Sequence, residues 1–363
     1  MAYTNIDDPS AHFQTALYTG NAGNQTITND GNSDLQPDFV WLKSRTFTSV
    51  HLAQDSTRGA TGGVYRYLQP DNTAAEAVQT DGDGITSLNS DGFSLGFNNS
   101  NSWNQSGNTY VAWQWKANGG TTSSNTDGTI TTTVQANPTA GFSIATWTGN
   151  GTNGATIGHG NGGIPNGYIV KRLDTAADWG VGGGYTGNVW VGGTSAVMHL
   201  NTAVAVSEAY NNYWGSSFPN NQILPLSQNA EINASGGSYV GYFFRSIQGY
   251  SKLGRYKSNG SADGPFVYTG FKPAFVIIKS ADTAKPWVMK TAAISENPIN
   301  EILYPDLSNA EGSDGLIDFV SNGFKVREGP DANINNSLSS TYIYMAFAEN
   351  PFTTSTGIPT TAR

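Results

Sequence analysis

The chain is 363 residues long, enough for about two or three domains, yet only 12% of its residues are charged and its formal net charge is −9. A surplus of acid with no basic stripe excludes a nucleic-acid partner, because backbone phosphates would go unneutralised. It has no cysteine, which excludes disulfides and thiolate metal sites, and no apolar run approaches the roughly 20 residues that span a bilayer.

Glycine (44 copies), with Asn, Ser and Thr, replaces the missing charge, and aromatics make up 12%. Helix formers are scarce while turn formers and β-branched or aromatic residues abound, an all-β composition. In chain order, residues 1–11 read as an N-terminal arm without the basic and apolar regions of a signal peptide, so synthesis in the cytosol is expected. An aromatic and a polar turn follow (Tyr18 to Asn21), then PDFVWLK (37–43), a short buried strand running from a proline to a lysine. Asn72 to Val78 is a modest helix candidate. Asp81-Gly-Asp83-Gly reads as a β-turn, since it lacks the rest of a calcium loop. DGFSLG (91–96) is a tight turn into a strand, and SGNTYVAWQWK (106–116) is a closing strand with Val111, Trp113 and Trp115 on one face. Residues 118–128 (NGGTTSSNTDG) have the composition of a flexible linker, with TITTTVQAN as a leading strand after them.

The same landmarks then return. Trp147 to Asn150 and Tyr256 to Asn259 repeat the aromatic turn, PNGYIVK (165–171) and PAFVIIK (273–279) repeat the heptad, and residues 235–245 and 339–349 repeat the closing strand. The aromatic precedes the proline by 19, 18 and 17 residues, and the proline precedes a shared tyrosine (Tyr110, Tyr239, Tyr342) by 73, 74 and 69. NGFKVR (322–327) matches DGFSLG, but the middle copy has lost that turn; Ile299 to Leu303 is a second helix candidate. Ordered landmarks at such steady gaps indicate an internal triplication. The expected architecture is three tandem β-sandwich-like modules, jelly-roll or lectin-like, at 12–117, 141–250 and 251–352, with a linker and leading strand at 118–140 and a tail at 353–363. The heptads should be equivalent central strands, with Phe39, Ile169 and Val276 at equivalent core positions. Their closing lysines read as solvated charges that blunt edge pairing, against a repeated binding role.

Little in the sequence carries catalysis. His12, His51, His159 and His199 stand in unrelated contexts, none paired with a second at ligand spacing, and no nucleophile elbow or phosphate loop appears. His159, in a glycine-dense turn, reads as structural or solvated. No catalytic residue, metal site or cofactor is expected. The most unusual segment is DWGVGGGYTGNVWVGG followed by EAYNNYWGSSF in the middle copy. Trp179, Trp190, Tyr210, Tyr213 and Trp214 there are the candidate binding residues, as flat surfaces for sugar stacking or protein contact. Core or inter-repeat packing is the competing reading.

NIDDPSAHFQTALYTGN (5–21), PDFVWLK, QDSTRG (54–59), DGFSLG and SGNTYVAWQWKANGG (106–120), with GHGNGGIPNGYIVKR and YIYMAFAENPF later, resemble virion structural proteins of tailed phages, especially marine ones. The resemblance covers nearly the whole chain and implies a virion component, often labelled a tail-fibre or appendage protein. It hands over no active site. The middle copy departs most, through its lost turn and its glycine-aromatic insertion. The implied role is a compact tail or neck appendage contacting the host surface; the alternatives are a capsid decoration protein and a glycan-degrading tailspike. Implied partners are other virion proteins and a host glycan or protein, without nucleic acid or membrane insertion. Several copies per particle are implied, a homotrimer being one such assembly.

Overall fold

The computed structural model describes residues 4–61, 64–78, 84–97, 100–185, 188–207, 213–327, 329, 333–335 and 338–360. The turn Asp81 to Asp83 and Tyr210 lie outside them. Twelve strands make the frame. They are β1 (Phe13–Thr19), β2 (Phe39–Ser44), β3 (Leu52–Asp55) and β4 (Thr109–Trp115); β5 (Phe142–Thr148), β6 (Gly167–Arg172), β7 (Trp179–Gly182) and β8 (Ser238–Phe244); and β9 (Ser251–Asn259), β10 (Phe271–Ser280), β11 (Val288–Thr291) and β12 (Leu338–Pro351). They form three antiparallel sheets with one pairing order: β1-β4-β2-β3, β5-β8-β6-β7 and β9-β12-β10-β11. Each heptad strand is therefore interior, between the closing strand and the strand that follows it.

Smaller strands, among them Ile85–Asn89 with Gly92–Leu95, Ala155–Gly158 with Ile223–Leu226, and Gly312–Val320 with Gly323–Val326, form a second layer against each sheet. The fold is all-β and sandwich-like. Glycine is required in both matching turns, because a Cβ on Gly92 or Gly323 would run into the carbonyl oxygen of Ile27 or Val267.

The closing strands show why both faces of these sheets are apolar. Tyr110 and Ala112 pack into the first module's own core, Tyr239 and Phe243 into the second's, Tyr342 and Tyr344 into the third's. The alternate residues Val111, Trp113 and Trp115, Val240, Tyr242 and Phe244, and Ile343, Met345 and Phe347 all meet in one shared core. A sheet covered on both faces has no solvent face to mark with polar residues. That shared core closes to a void of about 10 Å³ lined by Phe39, Ile169, Phe275 and others, apolar throughout. No ligand channel runs between the modules there.

The opening aromatics find the shared tyrosines. Tyr18 stacks on Tyr110, Trp147 on Tyr239 and Tyr256 on Tyr342, with ring centroids 4.9, 5.5 and 5.1 Å apart. Beyond each, the backbone N–H of the turn asparagine (Asn21, Asn150, Asn259) donates to the side-chain oxygen of a fully buried asparagine (Asn104, Asn233, Asn335) at 2.9–3.0 Å.

Several expectations are corrected. Phe39, Ile169 and Val276 are all buried but not equivalent: Phe39 and Ile169 face the shared core and Val276 the third module's own core. Counting back from the lysine, the matching shared-core residues are Trp41, Ile169 and Ile277. Asn72 to Val78 is not helical, and Ile299–Ile302 is a strand, since a short apolar run does not distinguish the two. Among the described residues the only helical segments are the turn Pro9–Ala11 and α1 (Ala230–Asn233), which Asn229 caps. The linker is pinned rather than loose. Buried Asp38 accepts from the N–H groups of Ala117, Gly119 and Gly120 at 2.7–2.8 Å, and Ser123–Asn125 pairs with Thr132–Asn137 to extend the second sheet.

Candidate functional site

The three heptad lysines occupy matching places, and none is solvated. Lys43, Lys171 and Lys279 have no exposed surface. Each reaches into another module: Lys43 Nζ donates to Ser308 O (3.2 Å), Lys171 Nζ to Thr73 O (3.0 Å) and Lys279 Nζ to Ala203 O (3.0 Å). The first module thus holds the third, the second holds the first, and the third holds the second. Opposite the lysines in register stand His51, Trp179 and Trp287, whose ring nitrogens meet Tyr304 O, Gln69 O and His199 O at 2.9–3.0 Å in the same cyclic order. Their backbone N–H groups donate to Asp71, Asn201 and Asp306 at 2.9–3.2 Å. The edge-blunting reading fails because these strands are interior and a neighbouring module covers their ends. A buried amine needs oxygen partners, and backbone carbonyls supply them.

Burial pulls the three amines down to about 8, partly offset by Asp71 at Lys43, by Asp178 and Glu231 at Lys171, and by Asp306 at Lys279. Burial likewise pushes Asp71 and Asp306 up to about 6. These are internal joints.

The second module's junction differs by a cluster of metal-ligating side chains that, among the described residues, the other two lack. Asp178 stands just before β7, His199 lies in the two-residue strand Met198–His199 beside β7, and Glu231 is in α1. Their ligand-type atoms lie within 4.8 Å of one another. His199 Nε2 is 3.3 Å from Glu231 Oε2, the Tyr213 hydroxyl donates to that oxygen at 2.5 Å, and Asn201 Nδ2 donates to Asp178 Oδ1 at 2.7 Å. Sequence reasoning passed over this group because its members are 21 and 32 residues apart on three elements, with no motif spacing.

The aromatic candidates do not form an open surface. Trp179, Trp190, Tyr213 and Trp214 are each 1–3% exposed. The glycines explain why. A Cβ on Gly182 would strike Trp214 and Tyr168, and one on Gly167 or Gly183 would strike Trp190, so the glycines let indole rings lie flat on backbone. Trp190 Nε1 donates to Tyr344 O (2.9 Å) in the third module and Trp179 Nε1 to Gln69 O in the first. Trp179 and Trp190 pack between modules, whereas Tyr213 and Trp214 fill the second module's own core. His159 is buried and structural: its Nδ1 accepts from Asn161 N, its Nε2 faces Asn220 O, and burial lowers it to about 4.

A family model, described as a domain of unknown function (DUF7483), matches residues 8–351. The chain belongs to the DUF7483 family. The match ends at the last residue of β12, so one family unit spans all three sheets, the cyclic lysine joints and the Asp178–His199–Glu231 cluster. No curated protein and no solved structure matches the chain.

Proposed function

We propose that this DUF7483 chain is a rigid structural protein of a tailed-phage virion, a compact tail or neck appendage made in the host cytoplasm. The observation that carries the reading is the cyclic interlock: buried lysines and rings join each module to another around a shared core. Such a body resists local opening, as suits a particle component more than an enzyme that must move around substrate. The sequence motifs that resemble virion proteins supply the rest of the argument. With Trp179, Trp190, Tyr213 and Trp214 buried, contact with neighbours or host falls to other residues. Phe266 and Tyr268, 49% and 55% exposed on one face of the edge strand Phe266–Tyr268, are the best placed.

The test is cryo-EM of the particle that encodes the chain. Density fitting the three-sheet body at the tail or neck is the expected result. Density on the capsid lattice would replace the appendage by a decoration role, and absence of the chain from purified particles would overturn the proposal.

A further inference from the structure

We propose that Asp178, His199 and Glu231 form a divalent transition-metal site, with zinc the ion their chemistry fits best. One imidazole and two carboxylates are the nitrogen and oxygen donors that zinc takes at about 2.0–2.2 Å. A tetrahedral ion at that length sets its ligand atoms roughly 3.4 Å apart. The His199–Glu231 separation of 3.3 Å already matches, and all the ligand atoms lie within 4.8 Å of one another, so side-chain adjustments of at most about 1.4 Å close the set.

Two further observations support the site. Both carboxylates already accept a side-chain hydrogen bond, Asp178 from the Asn201 amide and Glu231 from the Tyr213 hydroxyl, as outer partners hold metal ligands. Among the described residues the donors are also confined to one of the three junctions. At the place of His199 the first and third modules carry Gln69 and Tyr304, and at the place of Asp178 they carry Val50 and Pro286. The backbone does the same work in all three, since Gln69, His199 and Tyr304 each offer a carbonyl to a ring nitrogen of another module. Only the side chains changed. His199 and Glu231 are 12% and 26% exposed, which leaves an entry path. The local charge suits a dication: two carboxylates against the single Lys171 ammonium, whose bonds go to Thr73 O and Ala177 O.

The experiment is calorimetric titration of zinc chloride into the chelator-treated full-length chain, repeated with His199→Gln, Tyr213→Phe and His12→Ala. His199→Gln installs the residue that the first module carries at that place, so folding should survive, and near-UV circular dichroism checks it. Expected are one zinc per chain with a Kd of about 1 µM or tighter, loss of that binding in His199→Gln, and weakening of about 10–100-fold in Tyr213→Phe. His12→Ala should bind as the parent does. No saturable binding, binding unchanged in His199→Gln, or saturation by calcium in place of zinc would each overturn the site.

Discussion

Asp306 and Asp71 show how far a single side chain is fixed by its junction. Each accepts a backbone N–H, and in the second module Asn201 performs the same task as a neutral amide. Asp306→Asn should therefore change stability by less than about 1 kcal/mol, whereas Asp306→Ala, which strands the Trp287 N–H, should cost about 1–3 kcal/mol. Urea unfolding of the two variants tests this; equal losses would mean that the charge, not the acceptor, matters. The same groups set a pH dependence. An amine at about 8 instead of 10.5 binds fewer protons folded than unfolded between those values, so its contribution to stability grows as pH rises from 8 to 10.5. A carboxyl raised from 3.8 to about 6 binds more protons folded than unfolded, so its contribution is full below 3.8 and lost as pH rises through 6. The stability difference between the parent and Lys279→Met should accordingly widen in the parent's favour from pH 8 to 10.5. A constant or shrinking difference would show that the amine is not depressed.

At the scale of elements, the glycine-aromatic segment is a packing device between β6, β7 and the loops that follow. Gly182 faces Trp214 and Tyr168, and the indole of Trp214 is itself tied to Ala196 O at 3.0 Å. Gly182→Ala should cost about 1–3 kcal/mol by overpacking. Trp190→Ala, which empties a site shared with the third module, should cost about 3–5 kcal/mol. Thermal melts of both variants provide the check. A Trp190→Ala protein as stable as the parent would contradict the burial of that ring, and would restore an exposed recognition surface as the better explanation of the segment.

The whole molecule should behave as one unit, because the shared core draws residues from all three modules. Trp113 and Trp115 of the first module, Tyr242 and Phe244 of the second, and Phe275 and Phe347 of the third pack together, so no module can leave without exposing all the others' inner faces. The Arg58 guanidinium adds a buried link: it bonds Asp55 (2.5 Å) and Glu76 (2.9 Å), while Tyr242 of the second module donates to Asp55 at 2.7 Å. Scanning calorimetry should give a single transition whose van't Hoff and calorimetric enthalpies agree. A fragment of residues 141–250 should fail to fold by itself. Three resolved transitions, or a folded fragment, would show that the modules are independent and merely tethered.

What the sequence by itself determined is whatever local chemistry enforces. The all-β class follows from β-branched and aromatic runs broken by glycine and asparagine. The interior position of PDFVWLK, PNGYIVK and PAFVIIK follows from strands apolar on both faces, and the aromatic turns found their tyrosine partners at steady spacing. What only the tertiary structure decided is which surface each face meets. A lysine at a strand end looks identical in sequence whether water or a neighbouring module's carbonyl lies beyond it, and for Lys43, Lys171 and Lys279 it is the carbonyl. Glycine beside tryptophan likewise marks either an open platform or a ring laid on backbone, and burial chose the second. Asp178, His199 and Glu231 carry no mutual spacing at all, because the chain brings them together only when β7, the strand beside it and α1 converge; side-chain chemistry is local, but proximity belongs to the fold.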